Sequence, residues 1–399
     1  MRAVLSIEEY LEELLALVEP LPAEPCALEA ALGRTLAAPV TSRGDVPAFA
    51  NSAMDGFAVH GDDLRVGVVL REVAEVAAGN GEDPRFGSGE CVRIMTGAPV
   101  PTDADTVIQR ELVTEVPGGV RVDDVVAPGA NIRGAGEDLR AGQDVLGVGH
   151  VLDPSAIGLV AACGWAEVAV SRRPRVAVAA TGDELVAPGG DLGRGQIFES
   201  NGHLLRAALT RDGADVLTLG VLPDESDAFA RGLDAAAGAD LIVLAGGVSV
   251  GDHDVARIVL TERAGGQFRH VRMQPGKPQG FARWNGTPVV ALPGNPMSAA
   301  ISYELFVRAL LDRMGGRPAR PWRPAIAGSG WRSPAGRRQL LPVVTSVTDA
   351  GVLTAHPAHR RGSASHLVSA LALADSLAMV AEDVTEVSEG HRLLVRSLA

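Results

Sequence analysis

The residues able to do chemistry in this chain gather around one stretch. Residues 239–260 read ADLIVLAGGVSVGDHDVARIVL, with Gly246 and Gly247 standing between an apolar run and two carboxylates, Asp252 and Asp254. A glycine turn brings backbone N–H groups close to an anion, and carboxylates beside it suit Mg²⁺ bridging protein to phosphate oxygens. Glu184, Asp224, Lys277 and the turn Pro293-Gly-Asn-Pro296 add two further acids, a compact cation and a second turn. Together they point to handling of a phosphate or phosphoanhydride, with Lys277 neutralising charge. Each also has an ordinary explanation when taken alone. Asp252 reads as a helix N-cap worth about 1 kcal/mol, Glu184 and Asp224 as solvated loop acids, and Lys277 as a surface charge. Of the 36 basic residues, Lys277 alone is lysine, which marks a place that a planar guanidinium does not fill. No serine or cysteine nucleophile stands in a pattern with histidine, and His253 and His366 read as ordinary polar residues.

The elements that must position these groups follow from periodicity. Residues 241–245 are apolar without alternation, as in a strand buried on both faces of a parallel sheet. Val255, Ile258 and Val259 then repeat at helical spacing. Strands near 175–180, 215–219 and 289–292 alternate with helices near 201–212, 228–237 and 297–311, which predicts a mostly parallel sheet covered on both sides. Ligands of such sheets collect where strands end, so Glu184, Asp224, the glycine turn and the 293–296 turn belong on one rim. Asn285-Gly286 signals a type I′ hairpin, and Pro296 suits a first helical turn. Upstream, Ser6 and Glu9 form a capping box ahead of an amphipathic helix, and a short helix is expected near 27–36. Residues 66–148 are strand-like and broken by Gly and Pro. Asp55-Gly56 reads by itself as a turn, and residues 94–101 as a tight break exposing Thr96. After a Pro-rich linker near 315–324, the chain alternates like an all-β module.

Composition sets the outer limits. A chain of 399 residues, 46% hydrophobic and 21% charged, exceeds a single core and reads as globular. A net charge of −13 argues against a nucleic-acid partner. No apolar run reaches the length of a membrane span, and the acidic, amphipathic start is unlike a secretory signal, so a cytoplasmic location is expected. Cys26, Cys91 and Cys163 lie far apart and read as buried free thiols.

Six segments, in order, carry a resemblance. Ser52-Ala-Met-Asp-Gly-Phe57, Ile94-Met-Thr-Gly-Ala-Pro99, Thr181-Gly-Asp-Glu-Leu185, Gly246-Gly-Val-Ser-Val-Gly-Asp252, Pro275-Gly-Lys-Pro278 and Leu292-Pro-Gly-Asn-Pro296 resemble those of the molybdopterin molybdenumtransferases, over essentially the whole chain. The resemblance implies four parts: a discontinuous helical linking domain (1–44 and 140–172), a β-rich insert (45–139), a three-layer α/β domain like the molybdopterin adenylyltransferases (173–315) and a C-terminal β-barrel-like domain (320–399). It implies molybdate insertion into adenylylated molybdopterin with Mg²⁺-dependent release of AMP. It also implies an elongated homodimer and transient contact with other molybdenum-cofactor synthesis proteins. By position it assigns catalytic roles to Asp55, Thr96, Glu184, Asp224, Asp254 and Lys277, with Asp224, Asp254 and Glu184 toward Mg²⁺. Gly246, Gly247, Ser249, Gly251, Gln274, Gly276, Pro293, Gly294, Asn295, Pro296 and Ser365 fall to cofactor binding. The chain departs from the family at Gln274, His270 and Pro342, where a basic residue is usual. Arg272, Arg337 and Arg338 are the candidates to compensate. Two other classes fit parts of the pattern, an adenylyltransferase-type relative and a non-catalytic scaffold.

Overall fold

The computed structural model describes residues 4–79, 81–248, 254–362, 364–365 and 367–398. The chain forms two compact units, one of Met1–Glu24, Gly33–Ala37 and Val170–Ala399, the other of Pro25–Leu32 and Ala38–Ala169.

The first unit is built on a seven-stranded sheet. Its order is Val4–Leu5, Gln267–Val271, Pro278–Trp284, Thr287–Leu292, Leu241–Ala245, Arg175–Thr181 and Asp215–Leu222. Leu241–Ala245 is buried at all five positions and pairs in parallel with Arg175–Thr181 and Thr287–Leu292. Because side chains alternate across a strand, Leu241 and Val243 enter one core with Val176, Val178 and Val290. Ile242 and Leu244 enter the opposite core with Ala177, Ala179 and Val289. Helices Asn201–Arg211 and 296–314 contribute to the first core, and Ser226–Asp234 and Val255–Ala264 to the second. The hairpin between Pro278–Trp284 and Thr287–Leu292 turns through Asn285 (φ 48°) and Gly286 (φ 86°), as a type I′ turn requires.

The helix Ile7–Leu15 starts with both bonds of the capping box: Glu9 N–H to Ser6 Oγ at 3.1 Å and Ser6 N–H to Glu9 Oε2 at 2.6 Å. Its apolar face carries the fully buried Tyr10, whose hydroxyl donates to the Gly280 carbonyl at 3.3 Å. The two residues before it, Val4–Leu5, join the sheet edge in parallel with His270 and Val271.

At the C-terminal end, Arg338–Val347, Leu353–Pro357, Arg323–Ala327, Arg392–Ser397 and Ser376–Val380 pair in sequence, and the last closes on the first. Closure makes a five-stranded barrel. Two of these strands, Arg323–Ala327 and Leu353–Pro357, carry a proline near an end, where a lost ladder donor is tolerated. Met273–Gln274, which leads into the Pro-Gly-Lys-Pro loop, adds in parallel to Arg338 and Gln339.

The second unit contains a six-stranded sheet ordered Thr106–Gln109, Gly56–Val59, Glu90–Ile94, Val69–Val76, Gly119–Val122 and Val113–Val116. Its helix Pro154–Ala162 is capped by Asp153, which accepts from Ala156 N–H at 2.7 Å, with proline in the first turn. The helix expected near 27–36 is absent. Ala23–Ala27 is a strand and Leu28–Ala30 a single 3-10 turn, since Ala27 offers no side-chain cap and Gly33 turns left-handed at φ 73°. Cys26, Cys91 and Cys163 are free and buried.

Candidate active site

Four strand ends of the first unit build the rim. Arg175–Thr181 ends at Thr181, and the next residue, Gly182 (φ 139°), lets Glu184 fold back; a Cβ there would lie 2.4 Å from Glu184 Oε2. Asp215–Leu222 leads through Pro223 to Asp224. Asp224 accepts from the Thr181 hydroxyl at 3.1 Å and from Asp183 N–H at 3.2 Å, while Asp183 accepts from Asp224 N–H at 3.2 Å. This reciprocal pairing fixes two neighbouring carboxylates. Asp183 and Thr181 carried a readable signal, since both flank Gly182 within the same motif as Glu184.

Leu241–Ala245 ends in Gly246 (φ 103°) and Gly247 (φ 74°). A Cβ on Gly246 would sit 2.9 Å from the Thr181 carbonyl oxygen, and one on Gly247 would sit 2.3 Å from Ala256 Cβ. Asp254 then caps Val255–Ala264 by accepting from Arg257 N–H at 3.3 Å. The cap is therefore Asp254, two residues later than the Asp252 expected from sequence. Ser249, Gly251, Asp252 and His253 lie outside the described residues, as does His366.

Thr287–Leu292 runs into the 293–296 turn, and Pro296 opens the following helix. This turn touches the first, because a Cβ on Gly294 would lie 3.6 Å from Gly246 Cα. Asn201, at the start of its helix, donates to the Gly294 carbonyl at 2.7 Å. From the barrel side Ser365 accepts from Asn295 Nδ2 at 3.2 Å with its hydroxyl, and from Met297 N–H at 3.2 Å with its carbonyl. Pro293, Gly294, Asn295 and Pro296 therefore form one turn, to which Ser365 is bonded from the C-terminal segment.

The Lys277 loop comes from the antiparallel side of the sheet. Gly276 takes φ 97°, and buried Gln279 holds the loop by donating to the Gly276 carbonyl at 2.7 Å and the Ser302 hydroxyl at 2.6 Å. Burial, with Lys277 and Arg257 nearby, lowers the pKa of His270 below the usual imidazole value. His270 is thus disfavoured as a third cation beside these two. Of the arginines expected to compensate for Gln274, Arg337 reaches it, donating to Gln274 Oε1 at 3.1 Å. Arg272 bonds the Val4 carbonyl at 2.7 Å and Glu382 at 3.2 Å, and Arg338 pairs with Glu8. Among the described residues no three acidic, histidine or cysteine side chains form a ready-made metal cage.

In the second unit, the turn after Ile94 brings Thr96 to Asp55. Asp55 Oδ1 accepts from Thr96 N–H at 2.7 Å and Thr96 Oγ1 at 2.8 Å. The backbone bond first, then the hydroxyl, lowers its carboxyl pKa. The Asp-Gly context is steric: a Cβ on Gly56 would lie 2.0 Å from the Ile108 carbonyl oxygen. Met54 and Met95, the residues that precede Asp55 and Thr96, are exposed.

Models of known families match three consecutive segments: the MoeA N-terminal region (domain I and II) at residues 5–164, a probable molybdopterin binding domain at 177–313, and the MoeA C-terminal region (domain IV) at 324–398. Molybdopterin molybdenumtransferase 2 of Mycobacterium tuberculosis is 37% identical over 412 residues, covering 100% of both chains. The molybdopterin molybdenumtransferase of Haemophilus influenzae is 33% identical over 383 residues, covering 94% of each. The crystal structure of the molybdopterin biosynthesis moea protein from Pyrococcus horikosii superposes with a TM-score of 0.83 at 30% identity, covering 100% of both chains. With its whole length matched at these identities, the chain belongs to the molybdopterin molybdenumtransferase family.

Proposed function

We propose that this chain is a transferase of molybdenum cofactor biosynthesis that inserts molybdate into adenylylated molybdopterin and releases AMP. The observation that carries the reading is the contact between the 246–247 and 293–296 turns at neighbouring strand ends. Two glycine turns side by side supply a backbone surface suited to a phosphoanhydride. Asp183 and Asp224, each bonded to the other's N–H, present fixed carboxylates along its edge. Lys277 and Arg257 supply positive charge, and the Arg337–Gln274 pair replaces the usual basic side chain with a guanidinium from the barrel.

A Mg²⁺ ion fits this donor set in one way. With no carboxylate cage among the described residues, it would ride on phosphate oxygens and take one or two carboxylates from Asp224, Asp254 and Glu184. When bound it supplies charge neutralisation to the leaving phosphate.

We further propose a homodimer in which Asp55 and Thr96 serve the cleft of the other subunit. Their exposure and that of the neighbouring Met54 and Met95 suit a docking edge. Three buried free thiols suit a reducing cytoplasm.

The test is incubation with adenylylated molybdopterin, molybdate and Mg²⁺, reading AMP. Molybdate-dependent AMP release is expected. ATP consumption with free molybdopterin would replace this reading with an adenylyltransferase, and inactivity in both assays with a scaffold.

A further inference from the structure

A second concentration of charge surrounds the helix 296–314, apart from the loops described above. Its middle turn, Tyr303–Val307, is π-helical, a distortion that recurs at functional sites. Beside it the buried Asp212 accepts from the Tyr303 hydroxyl at 2.7 Å, from Arg211 at 2.9 Å and from Arg308 at 3.1 Å. Arg308 also holds Glu304 at 2.5 Å. A cavity of about 640 Å³ opens alongside, and the charged groups lining it are Arg308, Arg313, Arg317, Arg320 and Arg396 against Glu304 and Asp312. Arg313 is turned aside onto the Val18 carbonyl and Glu19. With Arg211, five guanidiniums still stand against the carboxylates of Asp212, Glu304 and Asp312, so two positive charges are in excess. A neighbouring cavity of about 600 Å³ shares Arg320 and Arg396 and adds Arg323 and Asp375, which leaves the excess unchanged.

Two donors in this network are unspent. Arg308 is 2% exposed, yet its Nε has no hydrogen-bond partner among the described residues, and Arg317 Nε has none either. Buried polar atoms are ordinarily paired by protein, water or ligand. The same cavity has an apolar part: Leu305 and Trp322 line it, and Arg396 stacks over the Trp322 ring at 4.5 Å.

We propose that this cavity is a binding site for an oxyanion of phosphate size and charge carried on a small molecule with an apolar body. The excess of two charges matches a phosphate monoester dianion, the guanidiniums of Arg317, Arg320 and Arg396 on the cavity wall offer donors to its oxygens, and Trp322 offers a surface for the body. The volume lies within the range of small-molecule sites.

The test is calorimetric titration of the full chain with phenyl phosphate, inorganic phosphate and phenol. Each titration is repeated in Lys277→Ala, so that uptake at the glycine turns is told apart from uptake here. Phenyl phosphate is expected to bind Lys277→Ala as it binds wild type, inorganic phosphate more weakly, and phenol not at all. Arg320→Gln should weaken phenyl phosphate at least tenfold, the loss expected for one charged hydrogen bond. Arg317→Gln serves as the second variant should the first not fold. Trp322→Ala should weaken phenyl phosphate while leaving inorganic phosphate unchanged. Binding that fails to saturate by about 10 mM, is lost in Lys277→Ala, or ignores both arginine variants would overturn the proposal. So would phenol binding as tightly as its phosphate, which would leave only an apolar hole.

Discussion

Lys277 sits in a loop locked by Gln279 and Gly276, so a longer guanidinium has little freedom to find a planar partner. Lys277→Arg is expected to cut AMP release by tenfold or more while leaving the melting temperature unchanged. Wild-type turnover would show that any cation serves. For Arg337, an exposed charge acting beside Gln274, the expected effect is smaller. Arg337→Ala should raise the molybdate concentration for half-maximal rate by roughly two- to five-fold, about 0.5–1 kcal/mol. An unchanged molybdate dependence would assign oxyanion capture elsewhere. Asp312 supplies a pH test. Burial raises its carboxyl to about 6, against the lowering effects of Arg317 and Arg308. A carboxyl whose folded pKa is raised binds its proton more tightly in the native state. That contribution is present at pH 4 and is lost as pH rises through about 6. Asp312→Asn should therefore flatten the fall in stability between pH 4 and 7, with a gain of about 1 kcal/mol at pH 7 after allowing for solvent screening. Denaturant midpoints across that range decide it. These residue-scale contacts were unequally legible. Gly182 and Glu184 share one motif, so their packing was close to readable. Arg337 and Gln274 meet only because the barrel pairs with a two-residue strand, which no local pattern announces.

Among the elements, the glycine turn and the helix that follows can be separated experimentally. Asp254 caps Val255–Ala264, and asparagine caps about as well as aspartate. Asp254→Asn should keep the melting temperature and still lose AMP release if the charge takes part in the reaction; full activity would leave it as a cap. Gly247→Ala meets both a left-handed backbone and Ala256 at 2.3 Å, and should cost about 1–3 kcal/mol along with activity. Gly158 is the contrast. It lies in Pro154–Ala162, where a Cβ meets nothing within 4 Å, so Gly158→Ala should stabilise its unit by about 0.5–1 kcal/mol. Thermal unfolding of the two variants should move in opposite directions. The buried strands were legible because an apolar run on both faces has few other homes. Val4–Leu5 was not, since two residues carry no period, and the register comes from the sheet edge they meet. Asp55 and Thr96 lie 41 positions apart, so only the family resemblance, and not any spacing, linked them beforehand.

For the whole molecule, assembly in trans makes a quantitative claim. Asp55→Ala and Lys277→Ala homodimers should each be nearly inactive, because every site lacks one group. Co-refolding pairs them at random, so about half the dimers are mixed and each carries one intact site, giving roughly a quarter of wild-type activity. Heterodimers proven by mass spectrometry but silent in the assay would place both residues in one subunit's site. The barrel leads to a different expectation about truncation. Leu340, Leu367, Ala370 and Leu377 belong to the same core as Tyr10, Val243 and Met297, Ser365 reaches the 293–296 turn, and Arg338 pairs with Met273. No seam runs through this core at which the C-terminal segment could detach. A chain stopped before residue 323 should expose apolar surface and aggregate, and the intact unit should melt in a single calorimetric endotherm spanning sheet and barrel together. Evolutionary trimming of the barrel is closed to this protein for the same reason: the residues from 323 onward support loops laid down long before them in the chain, and bring Arg337 and Ser365 to those loops.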